Sequence, residues 1–292
     1  MSEELCVFGE VLFDVFPDGN QVLGGAPFNV AWHLQAFGQS PFFISRVGND
    51  PQGNKIRQAM LDWGMDTSAL QTDDNLPTGI VNIELKDGEP SYDIVEPSAY
   101  DNIDTVFLEN SCRVVYHGSL ALRNKQSEKA LHHLLRTDPP LVFIDVNLRL
   151  PWWRKESVRE MLHQAHWAKL NTEELDLLYP SDKETRHQLT DFISDYNLQG
   201  AVLTHAEKGA ELLTSDNEHY SVQPSNSLII TDTVGAGDAF TSVVITGLKN
   251  NWPLSATIQR AQQFASAIVQ QRGAIVNNQA FYLDFLKDWE LI

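Results

Sequence analysis

Cysteine is nearly absent: Cys6 and Cys112 are the two found in 292 residues. Each lies in an apolar, strand-like run, the setting of a reduced core thiol rather than of a disulfide scaffold. That usage points to a reducing compartment, the cytoplasm. Basic residues are also scarce, with 21 Lys and Arg against 39 Asp and Glu and a formal net charge of −18. A surface of that sign repels a nucleic-acid backbone, and no Lys/Arg-rich run offsets it locally, which argues against a nucleic-acid partner. A phosphorylated ligand would need a site made of backbone dipoles, a metal and a few cations. No apolar run approaches the roughly 18 residues of a membrane span. The opening MSEELCVFGE carries acids where a secretion signal would place positive charge and a long apolar stretch. Internal repeats, low-complexity tracts and long linkers are missing as well.

What is present is a hydrophobic content of 42%, enough for one large α/β core spanning 1–292. Short β-branched and aromatic runs alternate with helical patterns. Leu5 to Gly9 precedes a helix over Ala26 to Phe37, and Phe42 to Val47 precedes one near Gln52 to Trp63. Val114 to His117 leads to a helix around Gln126 to Arg136, Leu141 to Asp145 to one around Lys155 to Ala165, and Trp167 to Leu170 to Thr172 to Leu178. This alternation predicts βαβ units and a doubly wound, mostly parallel sheet flanked by helices. Two stretches, about 11–23 and 78–96, alternate apolar and polar residues with no helix between, the second around a hairpin-like Lys86-Asp87-Gly88-Glu89. They read as antiparallel strands off the main sheet, a small β-strand lid over the carboxyl edge where ligands of open α/β folds bind. The same lid offers a surface on which two copies could pair as a homodimer.

The stretch richest in chemistry is Asp232-Thr233-Val234-Gly235-Ala236-Gly237-Asp238-Ala239-Phe240, followed by a helical pattern over Thr241 to Leu248. Gly235, Ala236 and Gly237 allow a tight turn with exposed N–H groups at a helix start, a cradle for a phosphoryl group gaining negative charge. Asp238 stands beside it, placed to accept the proton of an attacking hydroxyl. The plainer alternative is an acid that only complements the helix dipole. Two look-alikes fail. Gly48-Asn49-Asp50-Pro51-Gln52-Gly53-Asn54-Lys55 has Asn54 between its second glycine and the lysine, so it is not a P-loop, and Gly235-x-Gly237 has Phe240 where a dinucleotide fingerprint needs glycine. His132-His133 and the His163/His166 pair lack the acid of a zinc protease and read as helix-surface residues.

Gly24-Gly25-Ala26-Pro27-Phe28-Asn29-Val30-Ala31 and Asp232 to Phe240 resemble the two signature segments of the ribokinase-like, or PfkB, carbohydrate kinases, in the family's order and separation. Val47-Gly48-x-Asp50-x-x-Gly53, Asp145-x-Asn147-x-Arg149, Asn171-x-x-Glu174 and Gly273-Ala274 extend the resemblance over nearly the whole chain. It implies an ATP-dependent kinase that uses Mg²⁺, with Asp238 as base and Asp14, Gly25, Asn29 and Arg149 around the sugar. Asn171 and Glu174 would act on Mg²⁺ and phosphates, Glu174 through water, with Lys169 adding positive potential. The nucleotide segment would run Thr204 to Gly209, with Ala206 where the family places glycine, and Gln262 beside the adenine where asparagine is usual. Asp232, Val234 and Gly273 match a monovalent-cation site, for K⁺.

Asp145 to Arg149 and Tyr116-His117-Gly118-Ser119 look closest to bacterial fructokinases and ketodeoxygluconate kinases. Asp93 and Glu96 stand in the lid where sugar-acid enzymes tend to carry an arginine, which favours a neutral sugar such as fructose. The alternatives are a ketodeoxygluconate kinase or ribokinase, a nucleoside or vitamin kinase with Phe28, Trp32, Trp152 and Trp153 as conceivable walls for a base, though such residues are more often core or lid packing, and a non-catalytic sugar or nucleotide sensor.

Overall fold

The computed structural model describes residues 5–86, 89–105, 112–136, 140–225 and 229–292. The first half runs β1 (Leu5–Phe8), β2 (Leu12–Val15), β3 (Gln21–Gly24), α1 (Ala26–Ala36), β4 (Phe42–Gly48), α2 (Pro51–Asp62), β5 (Leu70–Asp73), β6 (Gly79–Lys86), β7 (Glu89–Ile94), β8 (Val114–His117) and α3 (Lys125–Arg136). The second runs β9 (Leu141–Asp145), α4 (Lys155–His163), β10 (Trp167–Asn171), α5 (Thr172–Leu178), α6 (Thr185–Asp195), β11 (Gly200–Thr204), β12 (Ala210–Thr214), β13 (His219–Val222), α7 (Ala236–Lys249), α8 (Leu254–Ile268) and α9 (Gln279–Asp288).

Nine strands form the main sheet in the order β13-β12-β11-β10-β9-β8-β1-β4-β5. The run from β11 to β5 is parallel, and β12 and β13 close one edge antiparallel. Side chains alternate between two cores as the strand period of two demands. Leu5, Val7, Phe43 and Tyr116 pack on the side of α1, α7 and α8, while Cys6, Phe8, Ile44 and Val115 pack on the side of α3, α4 and α6. Cys6 is joined to Cys112 by a disulfide. The expectation of reduced thiols is thus corrected: β1 and the chain entering β8 run side by side, which brings two sulfurs distant in sequence together. No helix among the described residues is long and apolar enough to cross a membrane.

The two alternating stretches form a separate four-stranded sheet, ordered β3-β2-β6-β7. Asp87 and Gly88, the centre of the expected hairpin turn, lie outside the described residues, but β6 and β7 pair antiparallel up to Lys86 opposite Glu89. The central pair departs from the expectation, because β2 and β6 are parallel. Each follows a strand of the main sheet, β1 and β5, and leaves from the same carboxyl edge, so the two run in one direction.

Asp50 fixes that smaller sheet to the main one. It caps α2 by accepting from Gly53 N at 2.7 Å, and also accepts from Thr78 N at 2.8 Å and Thr78 Oγ1 at 2.7 Å, just before β6. Burial alone would raise its pKa, but these hydrogen bonds outweigh burial and hold it below the ordinary value. A depressed carboxyl contributes stability above its unfolded pKa that is lost as pH falls through the folded one. Asp50→Ala should therefore cost about 1–2 kcal/mol at pH 7, the range of a lost helix cap, in urea unfolding. The difference should shrink as pH falls below the ordinary aspartate value of 3.8.

Candidate active site

α7 begins at Ala236, five residues ahead of the periodic pattern that marked it in the sequence, with Gly235 as its cap in the left-handed conformation at φ 78°. A side chain at Gly235 would collide with Ala274. Ala274 cannot retreat, because its carbonyl is bonded to His33 Nε2 at 3.0 Å and Trp32 Nε1 donates to Val276 O at 3.1 Å, tying this segment to α1. On the other flank the Asp232 carboxylate accepts from Val234 N at 3.0 Å and from Gly273 N at 2.9 Å. Asp232 thus brings the Val234 and Gly273 segments together. The result is a rigid glycine turn whose N–H groups open on the start of a helix.

Asp238 lies in the first turn of α7, open on one side and deep enough that burial pushes its carboxyl up to about 6. The bond from Asn29 and the charges of Lys169 and Arg149 oppose that rise, while Asp145 adds to it. Asn29 Nδ2 donates to Asp238 Oδ2 at 2.8 Å across 209 positions of sequence. Asn29 is buried on the first turn of α1, whose cap, Gly25, has φ 107° and lies against Glu10 O, 2.8 Å from where a Cβ would stand. Asp14 sits on β2, the central strand of the smaller sheet with β6, beside Gly24. Burial pushes its carboxyl up to about 6 against the pull of Arg149. Arg149 is itself exposed, on the loop after β9, and its charge is felt at Glu10, Asp14 and Asp238.

Asn171 and Glu174 stand at the start of α5 and hold each other as a capping box, Glu174 N to Asn171 Oδ1 and Asn171 N to Glu174 Oε2, both at 2.8 Å. Glu174 Oε1 also accepts from Leu148 N at 2.8 Å, so this acid ties the Arg149 loop to α5. Burial raises its pKa and Asp145 adds to that. Glu174 therefore offers an electron-rich corner with its direct bonds already committed. Among the described residues no group of three or more His, Cys, Asp and Glu could hold a metal. With both its oxygens bonded to backbone N–H groups, Glu174 would suit a hydrated cation through water rather than a direct bond.

Lys169 bonds Asp145 Oδ2 at 2.6 Å, and Thr241 Oγ1 bonds the same oxygen at 3.0 Å. Burial would lower the lysine's pKa, but Asp145 outweighs it and keeps the charge. Its Nζ lies 3.4 Å from where a Cβ on Gly237 would stand, so the ammonium faces the turn. Thr204 Oγ1 reaches Leu170 O at 3.5 Å at the end of β11. The next segment, through Gly209, turns back with Ala206 at φ 50°. That conformation explains why glycine is the usual residue there. Gln262 on α8 bonds Ser266 at 3.0 Å, one turn along, with no hydrogen bond to the groups around Asp238.

Several expectations change. Phe28 and Trp32 are core residues, 0% and 3% exposed, with Trp32 stacked on Trp63, and cannot be walls of a base pocket. Trp152 lies over the Arg123 guanidinium, and Trp153 packs on the core of α3 and α4. His166 precedes β10 rather than riding a helix surface, accepting from Val142 N at 3.0 Å. Sequence reasoning passed over Glu10 and the Asp145–Lys169 pair; an acid directly after β1, at the carboxyl edge, was the available sign.

Residues 3–280 match the family model described as "pfkB family carbohydrate kinase". The chain is 28% identical to the fructokinase of Escherichia coli over 94% of its length and 96% of that protein's. It superposes on the fructokinase of Vibrio cholerae O395, solved as a double mutant with fructose, ADP and potassium ion bound, with a TM-score of 0.82 and 26% identity over 97% of this chain and 98% of that one. An uncharacterised sugar kinase of Pyrococcus horikoshii in complex with ATP gives 0.78 and 25%, covering 99% and 100%. With both signature segments brought together at one helix start, and a family match across nearly its whole length, the chain belongs to the pfkB family of carbohydrate kinases.

Proposed function

We propose that this kinase transfers the γ-phosphoryl group of ATP to a hydroxyl of a neutral sugar, fructose foremost, and that Asp238 takes the hydroxyl's proton. The observation that carries the choice of a neutral acceptor is the charge of the pocket. Glu10, Asp14 and Asp238 are three carboxyls that share the influence of the same few cations: Arg149, which is exposed, Lys169, which is held by Asp145, and Arg123, whose side chain is buried. Arg123 is committed to Asp101 through two bonds of 2.7 and 2.8 Å. Carboxyl groups suit the hydroxyls of a polyol and oppose the carboxylate of a sugar acid. This replaces the argument from Asp93 and Glu96, which are both exposed, Asp93 reaching Asn82 on the neighbouring strand. The fructokinase neighbours agree in sequence and fold.

In this reading the N–H groups of the 235–237 turn, the α7 dipole and Lys169 stabilise the charge on the transferring group. Mg²⁺ would supply neutralisation of the phosphate charge when bound with the nucleotide, and Glu174 and Asn171 are the residues that would hold it, Glu174 through water. Asp232 orients the Val234 and Gly273 segments for K⁺, the ion named for the Vibrio fructokinase. The smaller sheet serves as the lid of a single kinase domain, and its exposed Phe16 and Tyr92 give it a face for a homodimer. ATP as donor fits a cytoplasmic setting. An acid that burial pushes up to about 6, placed in the first turn of α7 beside the glycine turn, favours catalysis over a sensor.

Asp238→Asn should lower kcat by at least ~10²-fold, the low end of general-base effects, with sugar affinity within a few-fold. Near-normal turnover would remove Asp238 from the role of base. In the wild type kcat/KM should decline below about pH 6, as the base takes up its proton. The same residue carries a stability signature. Its folded pKa lies above the unfolded value of 3.8, so the folded chain binds the proton more tightly and loses stability as pH rises between the two. Asp238→Asn should therefore be more stable than wild type by about 1–2 kcal/mol at pH 8, allowing for its open side, with the gap narrowing as pH falls below about 6 and closing only near pH 3.8. Urea unfolding at the two pH values checks this.

In an acceptor screen with Mg-ATP, fructose should exceed ketodeoxygluconate, ribose and nucleosides in kcat/KM. A preference for the sugar acid would overturn the neutral-acceptor reading.

A further inference from the structure

Glu10 follows β1 at the carboxyl edge of the main sheet, in backbone contact with Gly25 at the start of α1. The residue is 3% exposed. Its carboxyl feels its own backbone N–H, yet Oε2 is sealed from solvent and has no hydrogen-bond partner among the described residues. Two further sealed atoms share that condition nearby, the Tyr116 hydroxyl on β8 and Asn29 Oδ1, whose amide nitrogen holds Asp238. The charges of Glu10 and Asp238 are both felt at Tyr116, and that of Asp238 at Glu10, so these groups occupy one region. Arg123 is also felt at Glu10; its Nε and Nη2 bond Asp101, Val95 O and Tyr100 Oη, while its buried Nη1 has no partner among the described residues and makes no hydrogen bond to the carboxyl.

Buried polar atoms are almost always satisfied, and a cluster left open beside a reacting acid is the pattern expected where a ligand completes the bonds. We propose that Glu10 is an acceptor-binding residue, its carboxyl pairing with a sugar hydroxyl other than the one phosphorylated, with Tyr116 and Asn29 completing the floor of the pocket. The proposal rests on the acceptor site lying at Asp14 and Asp238. Presenting Oε2 to the sugar requires a side-chain rotation that breaks no hydrogen bond at that atom. The group then discriminates among sugars, because an acceptor lacking the matching hydroxyl leaves a buried carboxyl unpaired.

The test is steady-state kinetics of the full chain with fructose, or with the sugar that the acceptor screen ranks above it, and with its monodeoxy analogues. Glu10→Met, of similar length without an acceptor oxygen, should raise the sugar's KM by about 10- to 100-fold, as expected for a lost hydrogen bond to a carboxyl. The KM for ATP should stay within about 2-fold. Glu10→Gln, which keeps shape and an acceptor oxygen, should bring the sugar's KM back to within about 5-fold of wild type. One monodeoxy analogue should be poor with wild type and lose nothing further in Glu10→Met, since the partner hydroxyl is already gone. If Glu10→Met does not fold, Glu10→Asp draws the carboxyl back by one methylene and should raise the sugar's KM by at least about 5-fold. A purely structural role would lower the melting temperature and leave the sugar's KM and the ranking of analogues unchanged, which would overturn the proposal. Asp14→Ala, run alongside, separates the two levels of failure. If it raises the sugar's KM while the Glu10 variants do not, Glu10 alone is misassigned. If neither residue matters, the acceptor site is elsewhere and the proposal falls with it.

Discussion

A single hydrogen bond, Asn29 Nδ2 to Asp238 Oδ2, joins the starts of two helices that are more than two hundred residues apart in sequence. Much of the site's geometry follows from it. α1 and α7 pack side by side, so the acid that faces the glycine turn is held from the opposite helix by a neutral amide rather than by a cation. A lysine or arginine in that position would form an ion pair and pull the carboxyl well below its ordinary pKa, which weakens a base. A neutral donor orients the group while burial still raises it. The cost falls on stability, the usual exchange at a site prepared for chemistry.

The positive charge is kept one step away. Lys169 lies beneath the Gly237 turn, on β10, anchored by Asp145 on β9 and sharing that acid with Thr241 of α7. Removing either member of such a buried pair leaves the other uncompensated, so the pair is best understood as a unit that aims the ammonium at the glycine turn. Asp232, His33 and Trp32 do the corresponding work on the backbone, fixing the segments on which the glycine turn rests.

Much of this was legible in the sequence where a local rule and a tertiary role coincide. The parallel sheet follows from alternating strand and helix patterns, and Gly235 to Asp238 follows from the small residues that a tight helix start requires. The start of α7 at the glycine turn was legible from its small residues alone, since Gly235, Ala236 and Gly237 carry no apolar periodicity. The direction of β2 against β6 was not legible, since alternation records a strand's faces and not its neighbour. Phe28 and Trp32, conceivable as pocket walls only for a nucleoside or vitamin kinase, are core as aromatic residues more often are, because those near a motif say nothing of which side of the helix faces the site. The Cys6–Cys112 bond, Glu10 and the Lys169–Asp145 pair all depend on strands meeting across long separations, which no window of sequence contains. Ala206 is the converse case. The sequence flagged it as a departure from glycine, and its positive φ gives the reason.

The most direct test of the account is a crystal structure of the chain with fructose and a non-hydrolysable ATP analogue. One sugar hydroxyl should lie within hydrogen-bond distance of Asp238, other hydroxyls on Asp14 and Asn29, and the terminal phosphate against the N–H groups of 235–237. A sugar bound away from Asp238, or a terminal phosphate that does not approach the glycine turn, would contradict it.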